Sequence, residues 1–317
     1  MGDRPIHLLE AGIVTEQRYA GVSEAPAALG ALFADRLGAV KRIRVPFNPR
    51  DRWLTAAREA CRVLADAVTL SLRAGATVVI LGGECTLVAG AVPGALEVEP
   101  DLTLIYLDAH ADFNTLATTP SHFVGGMCLA HVCGRPVAAL LWPGARRMTD
   151  ERTVLVGARQ LDLGESGNLL RSRILRIPFD REQPDAPGLL AAVRRRAVWV
   201  HIDVDVVDPR EMPAVVGPVE GGPGLAALRD LLAGIAQVSE VRGMELCGYD
   251  PRQDPDERLP RQLADAVTPL LAPRPAASSI SERSALANLA KLARLANLTV
   301  ESPIGAPLPT GLRGRSP

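Results

Sequence analysis

Two short segments place charged side chains where an apolar run ends. The first reads Leu104-Ile105-Tyr106-Leu107-Asp108-Ala109-His110-Ala111-Asp112. The second reads Val198-Trp199-Val200-His201-Ile202-Asp203-Val204-Asp205-Val206-Val207-Asp208. In an extended chain, residues at i, i+2 and i+4 leave the backbone on the same side. Asp108, His110 and Asp112 have that spacing, and Asp203 with Asp205 repeats it. Carboxylates gathered in a low-dielectric site cannot stay ionised without cations beside them. Aspartates with an imidazole suit hard or borderline divalent ions such as Mn²⁺. Helix caps or loop salt bridges would account for one Asp-x-Asp, but poorly for both segments together.

The elements that must position these residues are also legible. Short apolar, β-branched runs occupy residues 6–9, 40–45, 77–81, 102–107, 153–156, 174–177, 198–202 and 241–246. Several are apolar throughout, which suits strands of a parallel sheet covered on both faces. Helix-period segments lie between them, clearest at 54–73. There Cys61, Leu64, Val68 and Leu72 share a side and Gly75 is the stop. Residues 187–196 and 224–237 read likewise. Strand and helix in alternation predict an open, doubly wound α/β sheet. Such sheets bind ligands at the carboxyl ends of their strands, where both acidic segments fall.

Composition narrows the function classes. The 317 residues carry 35 Lys+Arg against 36 Asp+Glu, a formal net charge of -1, so no basic surface speaks for nucleic acid. No run approaches the roughly 18–20 apolar residues of a membrane helix. The N-terminus lacks a signal-peptide layout, and Ile6 stands where a myristoylation motif wants Ser or Thr. Five cysteines at unrelated spacings make no disulfide framework, so a reduced cytoplasmic setting is expected. Cys128, Cys133 and Cys247 read as buried thiols, and His7 and His131 as structural or surface residues. The sequence contains no glycine-rich phosphate loop. One domain is expected over 1–271, then a Pro/Ala/Ser linker over 272–280. An amphipathic helix follows over 281–298, with Leu286, Leu289, Leu292 and Leu295 in a stripe, and a disordered tail over 299–317.

Further motifs complete a pattern: Gly82-Gly83-Glu84-Cys85-Thr86, Phe113-Asn114 after Asp112, Gly126-Met127, Gly157-Ala158-Arg159 with Asp162 and Glu165, and Pro209 after Asp208. From about Val22 to about Leu270 the chain resembles the arginase/agmatinase ureohydrolase superfamily. The resemblance implies a three-layer α/β/α sandwich around an eight-stranded, mostly parallel sheet, and two divalent ions, manganese first. Asp108 and Asp203 would bridge the ions. Asp112 and Cys85 would complete one, and His110 with Asp205 the other. A hydroxide between the ions, held by Asp108 and Asp203, would attack a planar guanidinium or amidine carbon. Asn114, Ser121 and Asp162 fall where the family binds its substrate's amino-acid end. Family members are often trimers or hexamers, so a homo-oligomer is expected, with a small guanidino-type substrate and neither nucleic acid nor membrane as partner.

Four positions depart from the family pattern. Cys85 replaces a histidine ligand. A thiolate there puts five negative charges against four positive and admits zinc, iron or cobalt; the competing reading is a buried, inert thiol. Gly125 replaces the catalytic acid/base histidine; His122, three residues upstream, is a stand-in or only a loop histidine. Gly248 replaces the glutamate that pairs with a guanidinium, with Asp250 or Glu245 as substitutes, Glu245 reading rather as a local salt bridge. Phe123 stands where an asparagine is frequent. His201 reads equally as support for a metal ligand or as a packed strand residue. The pattern is most similar to the Nω-hydroxy-L-arginine hydrolases, although those keep the glutamate. The expectation is a binuclear metal hydrolase of a C–N bond in a guanidino, N-hydroxyguanidino or amidino compound, with arginine itself disfavoured. The alternative is a degenerate member acting as a metal-binding or scaffold protein.

Overall fold

A computed structural model describes residues 4–136 and 140–272. Each of the eight expected runs becomes a strand: β1 (Ile6–Glu10), β2 (Val40–Arg44), β3 (Thr77–Leu81), β4 (Thr103–Leu107), β5 (Thr153–Val156), β6 (Leu175–Ile177), β7 (Ala197–Asp203) and β8 (Glu240–Cys247). They form one sheet in the order β2-β1-β3-β8-β7-β4-β5-β6. Every pairing is parallel. β4 is buried along its whole length, as its unbroken apolar run requires. Edge strand β2 instead exposes Lys41, Arg42 and Arg44, charges that discourage pairing with a further strand.

Helices cover both faces. On one face α2 (Trp53–Arg73) and α3 (Val88–Leu96) bury Cys61, Leu64, Val68, Val88 and Val92 against Val78, Ile80, Leu104 and Tyr106. On the other, α1 (Ala25–Leu37), α7 (Leu225–Val238) and α8 (Leu259–Val267) bury Leu29, Phe33, Leu228, Leu232 and Leu263 against Val79, Leu81, Ile105 and Ile202. The three-layer reading therefore holds. α2 ends at Arg73, and Gly75 follows at φ +78°. α3 is buried on every side, so no apolar stripe marks it in the sequence. Three short helices intervene: α4 (Cys128–Val132), α5 (Leu163–Leu170) and α6 (Leu189–Ala192). α6 is a correction. The helix expected over 187–196 shrinks to four residues between Gly188 at φ +92° and Arg195 at φ +59°. Only Leu189 and Val193 there are fully buried, too little apolar surface to hold a longer helix.

The expected linker, helix and tail over 272–317 lie outside the described residues, except Ala272. Among the described residues no helix is long and apolar enough to cross a membrane.

Candidate metal centre and substrate cavity

β3, β8, β7 and β4 are consecutive in the middle of the sheet, and the chemistry-bearing motifs leave their carboxyl ends. β3 runs into Gly82 and Gly83, at φ +130° and +51°, and then a 3-10 turn at Cys85–Leu87. A Cβ on Gly83 would lie 2.3 Å from the Ile13 carbonyl oxygen, so only glycine lets the chain turn there. β4 delivers Asp108, His110 and Asp112, and β7 delivers Asp203 and Asp205. Asp112 adopts φ +49°, a conformation disfavoured for a residue with a side chain and frequent at functional sites.

Their side chains meet. His110 Nδ1 lies 2.9 Å from Asp205 Oδ2 and 3.5 Å from Asp108 Oδ1. Backbone amides fix the carboxylates: Ala109 N donates to Asp205 Oδ1 at 3.0 Å, and Asp205 N to Asp203 Oδ1 at 2.9 Å. Cys85 Sγ donates to Asp203 Oδ2 at 3.1 Å and lies 3.8 Å from Asp108 Oδ2. Tyr106 Oη donates to Asp112 Oδ2 at 2.6 Å. Two of the donor groups close enough for one ion are Asp108–His110–Asp205 and Cys85–Asp108–Asp203, sharing Asp108; a third joins Cys85 to His201 and Cys247. Asp112 joins none of these groups, although it lines the same cavity.

Charge and burial suit this cluster to cations. Burial first, then the Asp205 charge, push the Asp108 and Asp203 carboxyls well above their ordinary range. Burial alone would lower the His110 pKa. Hydrogen bonds to Asp108 and Asp205 overcome it and push it up to about 12. A divalent ion satisfies both demands, because it holds carboxylates ionised and takes imidazole as a neutral ligand. The donor set therefore fits two divalent ions.

Above this floor opens a cavity of about 410 Å³, reached also by Asn114, Ser121, Asp162 and Gly248. Asn114 Nδ2 donates to Asp162 Oδ2 at 2.9 Å, and Asp162 forms a capping box with Glu165 at the start of α5. His122 is exposed and is not among the cavity-lining residues. Asp208 turns away to accept from Arg181 Nη2, Arg210 Nε and Gly221 N at 2.6, 2.8 and 3.0 Å, which makes it a loop anchor. Arg159 is another anchor. Its guanidinium donates to the carbonyls of Gly157, Asp205, Val206, Val219 and Glu220 at 2.8–3.3 Å.

A family model described as the arginase family matches residues 15–272. The chain belongs to the arginase family. It is 33% identical over 169 residues to the N(omega)-hydroxy-L-arginine amidinohydrolase of Streptomyces lavendulae, covering 52% of this chain and 59% of that protein. It is 33% identical over 220 residues to the arginase of Bacillus caldovelox, covering 65% of this chain and 73% of that protein. The native structure of the B. caldovelox arginase superposes with a TM-score of 0.77 at 25% identity, covering 86% of this chain and all of that one.

Against that family pattern the altered positions have a structural account. A Cβ on Gly125 would lie 2.4 Å from the Phe123 ring, so the phenyl group occupies the space of the family's histidine. Phe123 in turn packs on Tyr19 with ring centroids 4.6 Å apart, and the Arg18 guanidinium sits over both rings. A Cβ on Gly248, at φ +83°, would lie 2.2 Å from Asp203 Oδ1. Glu245 pairs with His201, Oε1 to Nδ1 at 2.8 Å, both fully buried. The local pairing expected of Glu245 is with His201. Sequence reasoning missed the position of Cys247. It is a buried thiol, but it lies 3.7 Å from Asp203 Oδ2, against the floor.

Proposed function

We propose that the chain hydrolyses a C–N bond in a guanidino-type compound with two divalent ions held by Cys85, Asp108, His110, Asp112, Asp203 and Asp205. The observation that carries this reading is the convergence of these side chains from three central strands: five of them line the floor of one cavity, and Asp108 lies just behind it between His110 and Cys85. When bound, the ions would supply Lewis acidity and a water of lowered pKa. The chain's own residues do the rest. Asp108 is common to the two donor sets, Asp203 belongs to the one with Cys85, and both hold negative charge where ions would sit. The Asn114–Asp162 pair and the Ser121 hydroxyl present polar groups to the amino-acid end of a substrate. Tyr19 and Phe123 close the cavity against water on the side where the family keeps its histidine.

Substrate choice follows from Gly248 and Gly125. Neither position offers a side chain to a cationic guanidinium or to a departing amine. A charge-assisted hydrogen bond contributes about 1.5–3 kcal/mol. Its loss costs arginine about ten- to a hundredfold in kcat/KM. A neutral or weakly basic N-hydroxyguanidine suffers less; this reading rests on Gly248 and Gly125, because the S. lavendulae amidinohydrolase and the B. caldovelox arginase are equally identical to the chain, at 33%. The test is release of urea, hydroxyurea or hydroxylamine from a guanidino-compound panel by the Mn²⁺- or Zn²⁺-loaded full-length chain. The expected result is N-hydroxyguanidine turnover at least about tenfold above arginine. Failure to retain any divalent ion after loading, or turnover of arginine at equal efficiency, would overturn the metal reading or the substrate reading respectively.

A further inference from the structure

Beneath the cavity floor lies a further convergence of donors, which shares Cys85 and Asp203 with the set above and adds His201 and Cys247, two side chains the reaction above does not use. β7 and β8 pair in a register that sets Asp203 opposite Cys247 and His201 opposite Glu245. Alternation along each strand puts these four residues on one face. Cys85 comes to the same place from the turn after β3. Cys85 Sγ, Cys247 Sγ and a His201 ring nitrogen all lie within 4.8 Å of one another. Cys247 Sγ is 3.7 Å from His201 Nε2 and 3.7 Å from Asp203 Oδ2, while Cys85 Sγ is 3.1 Å from that same oxygen.

We propose that Cys85, Cys247 and His201 Nε2, closed by Asp203 Oδ2, form a thiophilic four-donor site that takes a zinc-type ion in preference to manganese. Tetrahedral donors at zinc bond lengths of about 2.3 Å to sulfur and about 2.0–2.1 Å to nitrogen stand roughly 3.4–3.8 Å apart. The separations of Cys247 Sγ from His201 Nε2 and from Asp203 Oδ2, both 3.7 Å, lie in that range. The imidazole is held as a ligand must be. Its Nδ1 sits 2.8 Å from the Glu245 carboxylate, which leaves Nε2 facing Cys247. The ring is stacked on Tyr106 at 3.9 Å with planes 6° apart, so it cannot swing away. Asp203 is aimed as well: its Oδ1 accepts from Asp205 N, and its Oδ2 faces both sulfurs. His201 and Cys247 stand on central strands rather than loops, which fixes the donor set. Cys85 alone of the two cysteines reaches the cavity and gives an ion its way in.

Two thiolates and an imidazole select soft or borderline ions, whereas the Asp108–His110–Asp205 group offers only oxygen and nitrogen. The proposal therefore makes the two ends of the floor chemically unequal. It stands independently of which substrate, if any, the chain hydrolyses, because its readout is metal binding. The full-length chain, purified reduced, is titrated with Co²⁺ alone. The expected result is a thiolate-to-cobalt charge-transfer band whose intensity falls by about half in Cys247→Ser and in Cys85→Ser, and vanishes in the double variant. Zinc competition against a chromophoric chelator should show at least about tenfold weaker binding in Cys247→Val, which places a slightly larger β-branched residue that suits a strand and offers no donor. His201→Gln should weaken zinc similarly and leave Mn²⁺ uptake near wild type. Cobalt and zinc binding that is unchanged in Cys247→Ser, Cys247→Val and His201→Gln would overturn the proposal and leave Cys85 as the lone sulfur ligand. Recovery of Cys85 and Cys247 as a disulfide from reduced preparations would overturn it equally.

Discussion

The floor and the wall of the cavity are built in opposite ways. The floor sets charged side chains at the ends of central strands, each fixed by a backbone amide or a neighbouring side chain. The wall is made by leaving side chains out. Gly125 makes room for the Phe123 ring, and Gly248 makes room for the Asp203 carboxylate. The two regions touch through Gly248, so a change in the wall there is also a change in the floor. Losing a family side chain at 125 or 248 is thus not simple decay. At 125 the Phe123 ring occupies the space, and at 248 a Cβ at φ +83° would meet Asp203 Oδ1, so restoring the family residue meets an obstacle at both positions.

The largest effect expected comes from Asp203→Ala, which removes the carboxylate that faces both sulfurs and receives the Asp205 amide. Bound divalent metal, measured by elemental analysis, should fall below one ion per chain. Turnover should drop at least about a thousandfold, about 4 kcal/mol of barrier. A variant that keeps full metal and turnover would mean the floor does not hinge on this residue.

Gly248→Glu tests the contact between the regions. The family's glutamate must enter at φ +83° with its Cβ against Asp203 Oδ1. We expect a loss of about 2 kcal/mol or more in denaturant unfolding, lower metal occupancy, and no gain in arginine hydrolysis. Arginine turnover gained at undiminished stability would separate wall from floor and defeat the comparison.

Gly125→His gives a smaller effect, confined to the wall. Overpacking against Phe123 should cost about 1–3 kcal/mol. In the double variant with Phe123→Asn the ring is gone, and the two changes should couple favourably by at least about 0.5 kcal/mol in a double-mutant cycle. Strict additivity would show that the phenyl group and the missing imidazole do not compete for one space.

The floor was legible in the sequence because its residues are near neighbours in the chain. Asp108, His110 and Asp112 declare themselves by i, i+2, i+4 spacing after an apolar run, and the eight runs mapped onto the eight strands with shifts of a residue or so at their ends. What escaped has no local signal. Cys247 meets Asp203 across 44 residues, through the pairing of β7 with β8, and no spacing within one segment announces it. The Phe123 ring filling the space beside Gly125 depends on the path of a loop. The helix expected over 187–196 failed because two left-handed positions, at Gly188 and Arg195, enclose it. Periodicity alone does not reveal backbone handedness at such positions.

The place of β8 has a consequence for how the molecule is made. It is the last strand among the described residues, yet it lies between β3 and β7. Until residues 240–247 emerge from the ribosome, the sheet can exist only as β2-β1-β3 and β7-β4-β5-β6, two pieces each with an open inner edge. Those inner strands are almost wholly apolar, and unpaired apolar edges are what nascent chains aggregate through. Closure by the final strand is a non-local step and therefore slow. It also joins Cys85 on one piece to the aspartates on the other. Emergence of residues 240–247 is thus the event that turns two sticky half-sheets into one sheet and brings the donors proposed for the metal ions together.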